Sequence, residues 1–224
     1  MRVSLRLSLT LLVSAILGAS STATLAKAED TTGRAGSWRK AAQGAPDLKA
    51  AKAKVEKNPK DADALNDLGF ALRQNGETEE AAKYLKQAID LKPNMGEAHA
   101  NLSVVYYDQA KYQDAVSEGQ KAVKLNADQA IFRVVLGNAL AKTGDLKAAQ
   151  QEYKIAIQLK PDYENAYYNL GVVLNDDGQI NDAKYSLSKA LELDPNDDRV
   201  VALLDKLDKL GSAVPPAPAE AKKK

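Results

Sequence analysis

The sequence predicts an all-α fold in which antiparallel helix pairs stack one upon another, and three observations carry that prediction. Alanine, leucine and lysine dominate a chain of 224 residues with only 5% aromatics, which favours helix over sheet. Apolar residues recur three and four positions apart, the spacing of one helical face. The chain also matches itself at an offset of 34 residues, without insertion or deletion, from Leu68 through Leu102 and Leu136 to Leu170.

Taken in order, residues 1–28 form a separate object. Arg2 and Arg6 give a basic start, Leu7 to Leu17 an apolar stretch, and "GASSTATLAKAED" a run of small residues. That is the layout of a secretory signal, with cleavage after Ala28 as the first choice and after Ala26 as the near alternative. An uncleaved membrane anchor is the rival reading, but the apolar part is about half of the ~20 residues a span needs. No stable membrane span is therefore expected after cleavage. A bacterial periplasm is the expected destination, with an anchored or a secreted form as alternatives. Residues 29–46, which include the sole tryptophan, Trp38, read as a flexible leader.

Four units follow: 62–95, 96–129, 130–163 and 164–197. Gly69, Ser103, Gly137 and Gly171 share one column, and Ala81, Ala115, Ala149 and Ala183 another, as do Ala88, Ala122, Ala156 and Ala190. Small residues there let two helix axes approach closely. Gly76, Gly144 and Gly178, with Ala110 in the same column, end the first helix of each unit, where a left-handed backbone is needed. Leu91, Leu125, Leu159 and Leu193 precede Pro93, Pro161 and Pro195, which stop the second helix; Ala127 stands where the second unit's proline would be. One hairpin cannot bury all these stripes, but stacked neighbours can.

The pattern "ALNDLGFALRQNGETEEAAKYLKQAIDLKPN" resembles the tetratricopeptide repeat family, and the likeness runs through residues 62–197. The resemblance implies a right-handed α-solenoid, a superhelix of two-helix repeats. Residues 47–61 then look like the second helix of a degenerate leading half-repeat, with Pro59 in phase with the proline column. Residues 198–211 carry Val200, Val201, Leu203, Leu204, Leu207 and Leu210 on one face, as a C-terminal capping helix should. The proline- and lysine-bearing tail, 212–224, has little to bury and reads as disordered. The second unit departs most from the pattern. Ser103 replaces a glycine, Ala110 the turn glycine, and Gly119 the large residue expected mid-helix. Gly119 either weakens that unit, by about 1 kcal/mol relative to alanine, or admits a bulky neighbour.

Chemistry is sparse. Without cysteine there is no disulfide, thiolate nucleophile, cysteine metal site or lipidated cysteine. His99, the sole histidine, reads as a spacer between packed helices, and Ser103 one turn on belongs to a packing column. "NDDGQIND" lacks the spacing of a calcium loop, and its glycine is explained as a helix cap. No cofactor, metal or enzymatic activity is expected. A net charge of +1 and an acidic fourth unit argue against nucleic acid as a partner.

In the family it resembles, the first helix of each unit lines a concave groove. The stripe offset from the packing columns is Asp63, Asn66, Phe70 and Arg73, then Glu97, Ala100, Val104 and Tyr107. It continues as Ile131, Val134, Asn138 and Ala141, then Asn165, Tyr168, Val172 and Asn175. These residues form the expected peptide-binding groove, with Phe70, Tyr107 and Tyr168 as aromatic anchors, while some apolar members, the valines above all, are as readily covered by neighbouring helices. Asp63, Glu97 and Asn165 stand where cations would clamp a carboxylate, so an acidic C-terminal tail is a poor ligand. The expected function is that of a non-enzymatic scaffold or adaptor holding a protein or peptide segment. The alternatives are an accessory subunit of an envelope enzyme or assembly complex (glycan- or peptidoglycan-related), and a self-associating homo-oligomer.

Overall fold

Helix endings show how the chain turns back on itself. The computed structural model describes residues 47–212; the expectations for the signal, the leader and the tail beyond Ser212 lie outside the described residues. Among these residues there are ten helices and no strand. The helix α1, Leu48–Lys57, leads into four pairs: α2 Ala62–Gln74 with α3 Thr78–Leu91, and α4 Gly96–Asp108 with α5 Tyr112–Leu125. The others are α6 Ala130–Thr143 with α7 Leu146–Leu159, and α8 Glu164–Asp176 with α9 Ile180–Leu193. The last helix is α10, Asp198–Ser212. The first helix of each pair ends on a left-handed residue: Gly76, Gly144 and Gly178, with φ of 84°, 88° and 77°, and Ala110 with φ of 58°. At each, two backbone bonds close the helix in the Schellman pattern, as in Gly76 N to Arg73 O (3.0 Å) and Glu77 N to Leu72 O (2.9 Å). Ala110 closes α4 in the same way, with Lys111 N reaching Tyr106 O at 2.8 Å. It therefore adopts a conformation that disfavours any side chain.

Packing within each pair follows the small-residue columns. A Cβ placed on Gly69 would lie 2.5 Å from Leu85 Cγ, one on Gly137 2.6 Å from Tyr153 Cε1, and one on Gly171 2.6 Å from Leu187 Cγ. The glycine of one helix is thus the seat for a large side chain of the other. The second pair exchanges the two sizes. Ser103 fills the glycine column and donates its hydroxyl to the Ala115 carbonyl at 2.7 Å. Gly119, on the facing helix, makes room for Ser103 and for Leu136 of the next pair; a Cβ there would meet them at 3.2 and 3.3 Å. Of the two readings of Gly119, the structure supports the one in which a neighbour is admitted.

The two alanine columns are sealed: all eight residues, from Ala81 to Ala190, are 0% exposed. Leu68, Leu102, Leu136 and Leu170 are buried as well. The leucine column that precedes the prolines is different, since Leu91, Leu125, Leu159 and Leu193 lie at the last turn of each second helix and stay 39–48% exposed. The helix stops there, leaving that turn only partly covered. At the start of the array, Ala51 seats α1 against α2. At its end Val200 and Leu207 are buried and Leu203 and Leu204 half-buried against α9, whereas Val201, expected on the same face, is 41% exposed.

Two stability changes follow. Ala110→Gly should raise unfolding free energy by about 1 kcal/mol, because glycine relieves the left-handed strain. Gly171→Ala should lower it by about 1–3 kcal/mol through overpacking against Leu187. Urea denaturation followed by circular dichroism reads both.

Candidate functional site

The first helices touch one another from pair to pair, with α2 against α4, α4 against α6 and α6 against α8. This side-by-side packing decides which residues of the expected stripe remain accessible. Asn66, Ala100, Val104 and Val134 are 5–8% exposed and form the seam between neighbouring first helices. For the apolar Ala100, Val104 and Val134 the covered alternative holds, and the expectation of exposure is corrected at Asn66. Asp63, Glu97 and Ile131 stand exposed at the N-terminal rim. Phe70, Tyr107, Ala141, Asn165, Tyr168, Val172 and Asn175 are half-buried.

Several polar members of the stripe are held by neighbours. Asn66 accepts from Asn101 Nδ2 at 2.9 Å, and Arg73 Nε donates to Asp108 at 2.8 Å, with both side chains mostly covered. Each of these bonds joins one first helix to the next, across 35 residues of chain. Asn138 accepts from the Tyr153 hydroxyl at 2.7 Å. Burial, with a smaller effect from Tyr107, pushes that phenol well above its usual range and keeps it a neutral donor. Tyr107 meets Tyr112 edge to face at 5.6 Å. Asp63 lies 3.5 Å from Lys92, both side chains being well hydrated.

His99 is buried between α4 and α5, with Nδ1 2.6 Å from Glu118 and Nε2 3.0 Å from the Pro93 carbonyl. It is a packed residue, as expected, and also ties the pair to the preceding turn. Burial pushes the Glu118 carboxyl up, but hydrogen bonds from Lys121 and His99 outweigh it and hold the group below the usual carboxylate range. Ser103 is engaged with a backbone carbonyl and is not aimed at His99. Among the described residues no group of three or more His, Cys, Asp or Glu side chains could hold a metal ion. Among the same residues no helix is long and apolar enough to cross a membrane.

Tyr168 has a different environment from the other two aromatics. The Arg199 guanidinium of α10 lies 4.5 Å from its ring centroid. Arg199 is also bound to Asp197 through Nε at 2.9 Å and Nη2 at 2.5 Å, and lies 3.7 Å from Glu164. The sequence offered no motif for this cluster, but Arg199 does occupy the column of Asp63, Glu97, Ile131 and Asn165. That shared phase was the available signal.

Comparison with known proteins agrees with this geometry. Family models described as TPR repeat and tetratricopeptide repeat match residues 39–96, 71–130, 137–178 and 164–197. Protein O-mannosyl-transferase TMTC1 of Homo sapiens is 30% identical over 64% of this chain, which spans 17% of that protein. The Type IV pilus assembly protein PilF of Pseudomonas aeruginosa is 30% identical over 60% of this chain and 54% of its own length. A solved structure of Pseudomonas aeruginosa pilF superposes with a TM-score of 0.64 at 28% identity, over 67% of this chain and 69% of that one. The chain thus spans a sixth to about half of the curated relatives named here.

The Arg73–Asp108 bond offers a direct measurement of how strongly neighbouring first helices are tied. In a double-mutant cycle with Arg73→Ala and Asp108→Ala, the coupling should be about 1.5–3 kcal/mol, the range for a charged hydrogen bond. Denaturant midpoints of the four proteins give it.

Proposed function

The chain belongs to the tetratricopeptide repeat family, and on that premise we propose that it is a non-enzymatic adaptor that lays a segment of a partner protein along its first helices. Proteins of this family typically mediate protein–protein interaction and peptide binding, and the repeat scaffold is generally non-catalytic. The observation that carries the reading is the accessibility of Phe70 and Tyr107 beside the exposed Asp63, Glu97 and Ile131, while the polar groups Asn66, Arg73 and Asn138 are held in the scaffold. Rigid aromatics that the core does not need supply contact area at small entropic cost, and such residues dominate protein interfaces. The partner segment is apolar or aromatic in character and not an acidic C-terminus, because the rim carries carboxylates.

The place of action we propose is the cell envelope. The basic, apolar and small-residue order of residues 1–28 supports export. Similarity to a pilus assembly protein supports service to an envelope assembly complex. Self-association is the competing reading, and sedimentation of the purified chain separates the two: a monomer favours the adaptor and a dimer the rival.

Partner capture should first be made from the exported fraction with the wild-type chain. With that partner in hand, Phe70→Ala/Tyr107→Ala should fold normally and lose about thirtyfold in affinity, the equivalent of 2 kcal/mol. A control with Lys83→Ala and Lys154→Ala, exposed on the second helices, should bind as wild type does. Normal binding by the aromatic variant together with failure of the lysine variant would move the ligand to the second-helix face.

A further inference from the structure

We propose that Glu164, Asp197 and Arg199 form a proton-controlled clamp that seats the capping helix α10 over Tyr168 in acid and loosens it as the pH rises. The geometry is that of two carboxyls around one guanidinium, at the N-termini of α8 and of the capping helix α10. Asp197 caps α10, accepting from Arg199 N at 2.9 Å, and also takes the guanidinium through Nε and Nη2. Glu164, the first residue of α8, lies 3.7 Å from Arg199 Nη2, too far for a hydrogen bond. Its Oε1 is buried with no hydrogen-bond partner. Arg199 and Glu164 side chains are each 18% exposed and Asp197 9%, so water does little to screen the three.

Other covered carboxylates in the array have cations or donors of their own. Asp108 has Arg73, Glu152 has Arg133 at 3.0 Å, and Glu118 has Lys121 at 2.8 Å and His99. Glu164 must share. From the turn between α9 and α10 it faces Asp194 and Asp197, from α10 it faces Arg199, and beside it on its own segment stands Tyr163. Lys160, at the end of α7, is directed to the Tyr163 ring at 5.2 Å. With Glu164 neutral, Arg199 is bonded to Asp197, and Asp194 stands as a further carboxylate beside them. With Glu164 ionised, the cluster carries an unbalanced negative charge away from water, and lifting α10 rehydrates it.

Burial, together with Asp197 and Asp194, raises the Glu164 carboxyl to about 7 against the pull of Arg199, while Arg199 holds Asp197 low despite its own burial. The sign then follows by linkage. A carboxyl raised in the docked state binds its proton more tightly there than when hydrated. The Glu164 contribution to docking is therefore full below its ordinary value of 4.5 and is lost as the pH climbs through about 7, while that of Asp197 is lost only in stronger acid. The clamp is independent of what fills the first-helix face. Its effect on binding does rest on the adaptor reading: Tyr168 joins the accessible face when α10 lifts.

Amide hydrogen exchange of the full chain, corrected for intrinsic rates, tests this at pH 5.5 and 8.0, with α2–α5 as the internal reference. Opening of α10 in the wild type should rise at least about tenfold between the two values. Glu164→Gln, which keeps the shape but cannot ionise, should abolish the rise and leave α10 protected at pH 8.0. Arg199→Ala should free α10 at both values. Equal protection of wild-type α10 at both values overturns the clamp, as does a wild-type pH dependence in Glu164→Gln or retained protection in Arg199→Ala. A carbon-detected NMR titration of the wild type gives an answer that needs no variant. A Glu164 midpoint near those of exposed glutamates refutes the proposal, and one displaced upward sustains it.

Discussion

Two helices can share a close apolar seam only where one of them presents almost no side chain at the crossing. In this protein that condition is met once per unit, by Gly69 against Leu85, Gly137 against Tyr153 and Gly171 against Leu187. The second unit meets it from the opposite side, with Gly119 on the second helix and Ser103 on the first. The seam fixes the spacing of each pair, the pairs present matching faces, and the array can then grow by repetition. The sealed alanine columns are the continuation of the same requirement, since a larger side chain there would part the helices.

Close stacking also determines what is left for recognition. Because successive first helices touch, the middle of the expected stripe becomes a seam, and its polar members find partners across it. Asn66 with Asn101 and Arg73 with Asp108 recur at the same offset in chain, one residue more than the repeat. That offset reflects first helices packed in parallel with a small stagger. Such bonds tie each unit to its neighbour, so the side chains that make them cannot also serve a ligand without loss of stability. The proposed recognition therefore falls to the exposed rim and to the half-buried Phe70 and Tyr107.

The end of the array faces a different problem. The fourth unit needs its outer face covered, and α10 does this with Val200 and Leu207, both fully buried. Its first turn, however, falls in the phase of the groove column, and the arginine there reaches back over Tyr168. One helix thereby both closes the core and covers an aromatic of the proposed binding face. The charge cluster at its first turn sets Asp197 and Glu164 around the one guanidinium of Arg199.

Most of the architecture was legible from spacing alone. The period placed the four units, the turn glycines and the alanine columns, because each of these depends on local geometry that repeats with the chain. The left-handed turn was legible even at Ala110, where the residue is wrong for it, since phase alone identified the position. The same phase marked Ser103 and Gly119 as departures, but only the packed structure shows that they compensate one another, because that depends on which side chains meet across the seam. Whether Ala100, Val104 and Val134 are covered was left open by a one-dimensional pattern, and burial of Asn66 was beyond it, because spacing gives the direction of a side chain but not how near the next first helix comes. The sequence by itself thus determined the helices, their order and the repeat that stacks them. Tertiary structure alone decided which residues of the binding stripe stay open and which charges share a site, because both depend on distances between units that are set by packing.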